Sequence, residues 1–591
     1  MKKVIALLLA VMMLFALLAG CGADKAEPGK TEPGKTDTGK TDTGKTDSTA
    51  TPPAENKLST TIETTPSGSY YADVAAAAAL GQLDEELTVA LNADWKDLSP
   101  YGTDGGGKWW TATQINVYLA STDVFGAPFE EWTPAAAKRM EKIDGKTYEF
   151  ELWDCIVDTN GNKITASDAK FCLETIGKAK DFQAIGTSIE SIEILDEYTF
   201  RIHLATEEIG AIEKIMLKTA LVSQKWYESV DDAERATNPI GAGCYYISGY
   251  AAGDYVEMTR KDDYWQKDDS AKSHIQFAPF KKITFKLIKD ASVRTVALEN
   301  GEVDIVKNLN TADIGRFLNA DGTAKDGYTI AQCYDGRVNV LAFNCHESSI
   351  MSDINLRKAV LYGVDTTELM YAFGLDESTG RVTNDVTTQC CSDYNTAWDA
   401  ADYDYYKRDV KKAQEYLKKA GYKPGELTLN LLVKNSLAGY EPMAVYMQAQ
   451  LAEVGINIKI SCLEQAITDE MVGGTEGWEI TVEGVNSCNT VAQGYSYLFD
   501  QRNWSNGARY NIVDAELQAM AEKITQVDYY SQEAVNEIHD HVMENAYCVG
   551  LFGTAAFHVA QDGIQGICTI YDGNPSVAAS IVAPDYQSTV K

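Results

Sequence analysis

Residues 427–460 carry the pattern that most narrows the fold. Leu427–Val433 is a short apolar run. Pro442–Val454 has the spacing of an amphipathic helix, and Ile456–Ile460 alternates apolar and polar residues. A strand, a helix and a second strand in that order make a β-α-β unit, the mark of a mixed α/β protein. The same alternation runs through the chain. Glu86–Leu91 reads as an opening strand, and Thr147–Trp153 alternates as a half-buried strand does. Asn160-Gly161 marks a turn because both residues tolerate positive φ, and Thr165-Ala166-Ser167-Asp168 caps a helix. Ser191–Leu204 reads as a hairpin, and Ile283–Ile288 and Asn339–Phe343 as strands. Ser292–Asn300, Leu356–Gly363, Asp409–Ala420, Asp514–Ile524 and Gln532–Glu544 read as helices. Gly301 and Gly421 follow two of those helices, where a left-handed residue closes the last turn.

The chain opens differently. Lys2 and Lys3 precede an apolar run from Val4 to Ala19, and Leu18-Ala19-Gly20 stands before Cys21. A basic start, an apolar middle and small residues at the cut describe a secretory leader, Met1–Gly20. A cysteine at that position predicts a lipoprotein, with a diacylglyceryl group on Cys21. Each buried methylene adds about 0.8 kcal/mol, and two chains hold where one does not. The run is too short for a spanning helix, which wants about 20 residues. Five-residue repeats follow, from Glu27-Pro28-Gly29-Lys30-Thr31 to Asp42–Thr46. They have no apolar face to bury, so 21–67 is expected to be a disordered tether with a reach of roughly 35–45 Å. Gly29 through Gly34-Lys35-Thr36 fits a phosphate-loop pattern, but no strand precedes it and no helix follows, so the match carries no chemistry.

The formal charge is −34 over 591 residues, and −36 once Lys2 and Lys3 are removed with the leader. That balance excludes a nucleic-acid partner and a polybasic membrane contact. The 500-odd residues after the tether suggest about three domains. Twelve cysteines include Cys21 and the neighbours Cys390-Cys391, with no C-x-x-C pair; no disulfide framework is indicated. Asp158, Asn160 and Asn162 resemble a calcium loop, but Lys163 and Ala169 stand where a glycine and a glutamate are required. No G-x-S-x-G elbow and no H-E-x-x-H occurs. His539 and His541, two apart in a helical stretch, point to different faces. Neither a catalytic set, nor a metal site, nor a cofactor is expected.

Several stretches stand in one order along the chain. They are Gly161 with Thr165–Asp168; Asn238–Tyr245 with Gly253-Asp254 and Asp263-Tyr264-Trp265; and Asp290–Arg294 running into Leu298–Asp304. Phe343-Asn344, Asp353–Val360 and Val364-Asp365 follow, then Lys412-Ala413, Tyr416-Leu417, Ala420–Tyr422 and Gln450–Ile456. Together they resemble solute-binding protein family 5, the extracytoplasmic receptors of dipeptide, oligopeptide and nickel ABC importers. Read physically, most of these are structural. Gly241 and Gly243 suit a close backbone approach, Asp290 caps a helix, and Arg357 makes an internal ion pair or hydrogen bond.

The resemblance implies a two-lobed α/β fold of periplasmic-binding-protein type with a hinge. A first lobe would take 85–115, 236–330 and 550–591, with a domain inserted at 116–235; a second lobe would take 331–549. It further implies a monomer that captures a small solute, peptide above all, in the interlobe cleft. The receptor would pass the solute to an ABC permease with a cytoplasmic ATPase, on the outer face of the cytoplasmic membrane, held by the lipid anchor alone. Peptide-binding relatives carry Gly-Trp and then an aspartate for the peptide's α-ammonium. Here Gly484 is followed by Val485, and the aspartate position falls at Cys488 or Asn489. Glu483 is the available substitute. The ligand-contact candidates are therefore Glu483, Gly484, Asn486 and Asn489, then Tyr495 and Arg502 beyond them. Trp95, Tyr101, Trp109 and Trp110 follow the opening strand as stacking surfaces. The alternatives are a receptor for a non-peptide solute such as an oligosaccharide, and a surface signalling or adhesion protein on the same fold.

Overall fold

Many helices in this chain begin at short polar residues that occupy the free N–H groups of the first turn. Asp290 accepts from the Val293 N–H at 2.9 Å ahead of Ala291–Glu299. Asp168 accepts from the Thr165 N–H at 2.9 Å ahead of Ala166–Ile176, and Asp409 opens Val410–Lys419. Gly301 and Gly421 follow helix ends at φ of 68° and 91°. The computed structural model describes residues 86–582 apart from 93, 96, 103–107, 122–128, 180–181, 273–275, 310, 321–322, 378, 390, 401–402, 404, 436–438, 486–489, 505–508, 563, 566–567, 571–573 and 577–580. The expected leader, Cys21, the tether, Asn486 and Asn489 lie outside these residues. Among the described residues no helix is long and apolar enough to cross a membrane.

Two sheets organise the chain. β1 (Glu86–Leu91) opens the main sheet. β2 (Ala137–Lys142), β3 (Thr147–Leu152), β4 (Ile189–Ile194) and β5 (Thr199–Leu204) make a separate antiparallel sheet in the order β2-β3-β5-β4. The main sheet resumes with β6 (Tyr245–Ala251), β7 (Tyr255–Arg260), β8 (Lys282–Leu287), β9 (Ile305–Leu309) and β10 (Tyr328–Phe343). It is completed by β11 (Gly380–Val382), β12 (Leu427–Lys434), β13 (Ile456–Leu463), β14 (Ile480–Val485) and β15 (Cys548–Gln561). Its order is β13-β12-β14-β10-β15-β9-β1-β8-β7-β6, with β11 on β15. As the periodicity predicts, β12 and β13 are parallel and joined by helix α1 (Tyr440–Val454).

β10 and β15 are the exceptional strands, 16 and 14 residues long. Tyr328–Tyr334 pairs with the far half of β15, beside β9. Val338–Phe343 pairs with β14 on one side and with the near half of β15 on the other. Register shifts fall between Tyr334 and Val338 and between Asn339 and Val340. Such bulges bend a strand and increase its twist. The apolar core divides at the same place. Ile330 and Phe557 pack with Leu298 and Val306, whereas Val338 packs with Trp398 and Val542 and Phe552 with Leu341. Two lobes joined by two strands follow directly.

Close approaches explain two predicted features. A Cβ on Gly241 would lie 2.0 Å from the Ile115 oxygen, and one on Gly243 2.4 Å from the Gln114 oxygen, so no side chain fits at either position. Arg357 is buried in a carbonyl cage, donating to Ala546, Met351, Ser352 and Asn545.

One polar cluster fixes the second lobe. Asp385 is fully buried and accepts from His539 Nδ1 at 2.7 Å, from the Tyr495 hydroxyl at 2.6 Å and from the Thr387 N–H at 2.7 Å. The Tyr403 hydroxyl bonds His539 Nε2, and Trp398 stacks on the imidazole at 4.0 Å. These contacts tie the 383–403 segment to helices α3 (Val491–Phe499) and α4 (Gln532–Glu544), taking α2 as Gln465–Val472. Burial pushes the Asp385 carboxyl up, but the His539, Thr387 and Tyr495 bonds outweigh it and hold the group below the usual carboxylate range. Asp385→Ala is expected to cost about 3–5 kcal/mol in urea unfolding at pH 7, the penalty for breaking a buried pair. Because the folded carboxyl is depressed, its contribution is complete above the unfolded value of about 3.9 and is lost as pH falls through the folded one. The stability gap between wild type and Asp385→Asn should therefore narrow in acid; a gap that widens there would contradict the assignment.

Candidate functional site

Three parallel strands of the second lobe create a natural crevice. β12 lies between β13 and β14. The chain leaves β12 through α1 toward β13, then crosses back through α2 to reach β14 on the other side. Connections diverging from neighbouring strands leave a gap beyond their carboxyl ends, where open α/β sheets bind ligands. The gap here lies beyond Lys434 and Val485.

β14 supplies one wall. Glu483 is buried, and its Oε1 accepts from Arg509 Nη2 at 2.7 Å. The guanidinium lies over the Trp504 ring at 4.4 Å. Burial works against the charged guanidinium, but Tyr510 and Glu483 overcome it and hold Arg509 firmly protonated. Tyr510 and Asn511 adopt φ of 56° and 58°, left-handed values that non-glycine residues take only when neighbours hold them. Asn511 Nδ2 is tied to Asn344 Oδ1 and to the Gly474 oxygen, and the Cys345 N–H donates to the Tyr510 oxygen. Arg509 is thus delivered to Glu483 by a constrained turn. Gly484 pairs with Asn339 of β10, whose side-chain oxygen accepts from the Tyr440 hydroxyl at 2.8 Å.

Other predicted residues sit elsewhere. Tyr495 lies inside the Asp385 cluster at 1% exposure and presents no face to a ligand in this conformation. Arg502 is exposed and closes onto Asp500, with Nε 2.9 Å from both carboxylate oxygens. Trp95 is buried in the first lobe's core, its Nε1 without a partner. Tyr101 is buried too, donating to the Ala220 oxygen at 2.5 Å and tilted against Tyr227. Trp109 and Trp110 lie on the helix Lys108–Ile115; their side chains are outside the described set. The structure therefore gathers Glu483 and Gly484 at the crevice and leaves Trp95, Tyr101 and Tyr495 in cores. His539 and His541 bind separate aspartates, Asp385 and Asp514. Among the described residues no group of three His, Cys, Asp or Glu side chains could hold a metal.

Sequence reasoning missed Arg509 and Lys434. Arg509 follows Glu483 by 26 positions, with no periodicity to link them. Lys434 left one visible signal, a cation ending an apolar strand.

A second contact joins the lobes. The segment after β5 meets the segment before α4 edge to edge, Glu208 bridging Gln526 in antiparallel fashion. The Ile209 N–H donates to the Thr525 oxygen at 2.8 Å, and the Val527 N–H to the Glu207 oxygen at 3.0 Å. Gln493 Nε2 of α3 donates to the Ile209 oxygen at 3.2 Å. Gly210 follows at φ 74°, where a Cβ would strike Gln493 Nε2.

Comparison with known proteins agrees with this architecture. A peptide transport periplasmic protein of Haemophilus influenzae, SapA, is 23% identical over 407 residues, covering 65% of this chain and 66% of its own length, just under two thirds. The dipeptide-binding protein of Escherichia coli is 24% identical over 419 residues, 64% of this chain and 74% of that one. Among solved structures, the dipeptide binding protein of a Pseudoalteromonas species in complex with Met-Leu superposes with a TM-score of 0.71 at 16% identity, covering 84% of this chain and 100% of that chain. Residues 131–507, more than half of the chain, match the bacterial extracellular solute-binding proteins of family 5. A strand-hinged, two-lobed α/β chain with that match belongs to solute-binding protein family 5.

Proposed function

We propose that this chain is the extracytoplasmic receptor of an ABC importer, taking up peptides or closely related solutes. The observation that carries the reading is the two-strand hinge between the lobes, in a chain of family 5. Relatives named for peptide and dipeptide binding support the solute class. The split of the apolar core between 330 and 338 supports a first lobe of 85–115 and 236–330 and a second beginning at 331, and the split between 552 and 557 moves the return to the first lobe from the expected 550 to beyond Phe552; the separate antiparallel sheet supports an insertion at 116–235. Ligand contacts made only in the closed form would shift the lobes toward closure, and the closed form would dock on its permease. Cys21 would carry the lipid that keeps the receptor beside that permease, and the 21–67 segment would serve as its leash.

Three outcomes follow. A matched peptide at about 100 times its Kd should add about 2.7 kcal/mol to the unfolding free energy, read as a rise in Tm across a panel of di- to pentapeptides. No shift with any member would remove the peptide reading. Cys21→Ser should move the protein from the membrane pellet to the soluble fraction on cell fractionation. Ile209→Pro, which deletes the N–H given to Thr525, should speed release of a bound peptide about 2- to 12-fold, the worth of one hydrogen bond. An unchanged dissociation rate in stopped-flow would show that the 207–210 contact takes no part in closure.

A further inference from the structure

Lys434 is the last residue of β12. Residues two apart on a strand share a face, so it lies on the side of Leu432, which packs with Trp478 and Leu498. Leu432 stands opposite Thr481 on parallel β14. The pairing of β12 with β14 ends there, and Lys434 lies two residues further along β12, on the same face and toward the end of the sheet that carries Glu483. Only 8% of Lys434 is exposed. Among the described residues its ammonium makes no hydrogen bond and no ion pair, and it is not one of the polar atoms sealed from solvent. The stem is buried and the head is left at an opening.

The neighbours do not compensate that charge. Glu483 is already bridged to Arg509. The first N–H groups of α3, which begins just past β14, are taken by Asp393 at Val491 and Ala492 and by the Thr490 hydroxyl at Gln493. An ammonium held at an opening by its buried stem has only solvent to pair with. An arriving carboxylate would take that place through a charge-assisted hydrogen bond. The same arrangement denies Glu483 to an incoming ammonium, which would have to displace Arg509.

We propose that Lys434 reads the charge of the cargo: its Nζ binds a carboxylate of the solute, while the Arg509–Glu483 pair beside it stays closed. The cargo is a carboxylate-bearing small solute, selected by its acid end and not by a free α-ammonium on Glu483. This rests on the crevice being the solute site.

Calorimetry on the purified full chain tests it. The panel is di- to pentapeptides of alanine, each as free acid and as C-terminal amide, with glucuronate against glucose. Free acids should bind about 10- to 100-fold more tightly than their amides, the range for a hydrogen bond to a charged group. Lys434→Met keeps the buried stem and should bring the free acid down to the affinity of the amide, leaving the amide unchanged. Lys434→Arg should restore most of the difference. Urea unfolding of each variant without ligand separates lost binding from lost folding. If no peptide binds but glucuronate does, and Lys434→Met abolishes it, the peptide reading fails and the Lys434 assignment stands. Equal affinity for acids and amides, unchanged binding in Lys434→Met, or a wild-type chain that binds no carboxylate in the panel would overturn the assignment.

Discussion

Backbone pairing between β10 and β15 is the constraint on which the rest of this structure depends. Two antiparallel strands carry the hydrogen-bonded ladder from one lobe to the other, while the apolar cores stop on either side. Apolar packing resists shear because interiors are close-packed. A ladder interrupted by bulges can bend without breaking its outer pairs. The second bulge is itself packed. Gly550 sits where a Cβ would fall 1.9 Å from the Asp385 backbone oxygen. The Asp385 cluster therefore seats directly on the bend, and its bonds to α3 and α4 fix the second lobe as one body on that side of the hinge.

Charge is distributed with the same division of labour. The chain as a whole is strongly acidic at −34, yet among the described residues the ends of β12 and β14 bring Lys434 to the edge that carries the Arg509–Glu483 pair. Exposed acids act over about 8 Å at physiological salt and chiefly keep the protein soluble. An ammonium anchored by a buried stem acts at contact range on whatever enters the crevice, so local charge weighs more there than net charge. The constrained turn at Tyr510 and Asn511 belongs to this scheme. It stores backbone strain to hold Arg509 on Glu483, and with that acid neutralised Lys434 is the unmatched charge.

Local rules made much of the fold legible. The β-α-β unit, the Asp290 and Thr165 caps, the glycines at 241 and 243 and the internal bonding of Arg357 all depend on a few neighbouring residues, and each was readable. Asn339–Phe343 read as a short strand, whereas the strand runs from Tyr328. Asp335-Gly336 is a turn signal in sequence, and it falls in the gap of the β15 ladder between Tyr334 and Val338, where pairing on both sides keeps a single strand. The site was harder. Glu483 was readable from its strand, but its partner Arg509 arrives through a turn that no spacing announces. Tyr495 followed the ligand-reading segment and looked like a lining residue. Its place on α3 turns it inward to Asp385, a residue 110 positions earlier in the chain. Long-range pairing decides such matters, and a linear pattern does not contain it.

If the hinge closes on solute as proposed, the lobe-to-lobe contact at 207–210 and 525–527 leaves part of that closure to the solute. It offers two backbone hydrogen bonds and one from Gln493, each worth about 0.5–1.5 kcal/mol net. Holding two lobes in one orientation also restricts the hinge and the side chains along the seam, at about 1 kcal/mol for each ordered residue. The two quantities are of the same size, so the contact poises the equilibrium and does not settle it. A partner for Lys434, supplied by cargo in the crevice, then has enough leverage to tip the balance, since one charged hydrogen bond changes a two-state ratio by tenfold or more. Under the Lys434 assignment, a poised hinge with an unpaired cation at the crevice mouth closes on an acid and stays open without one.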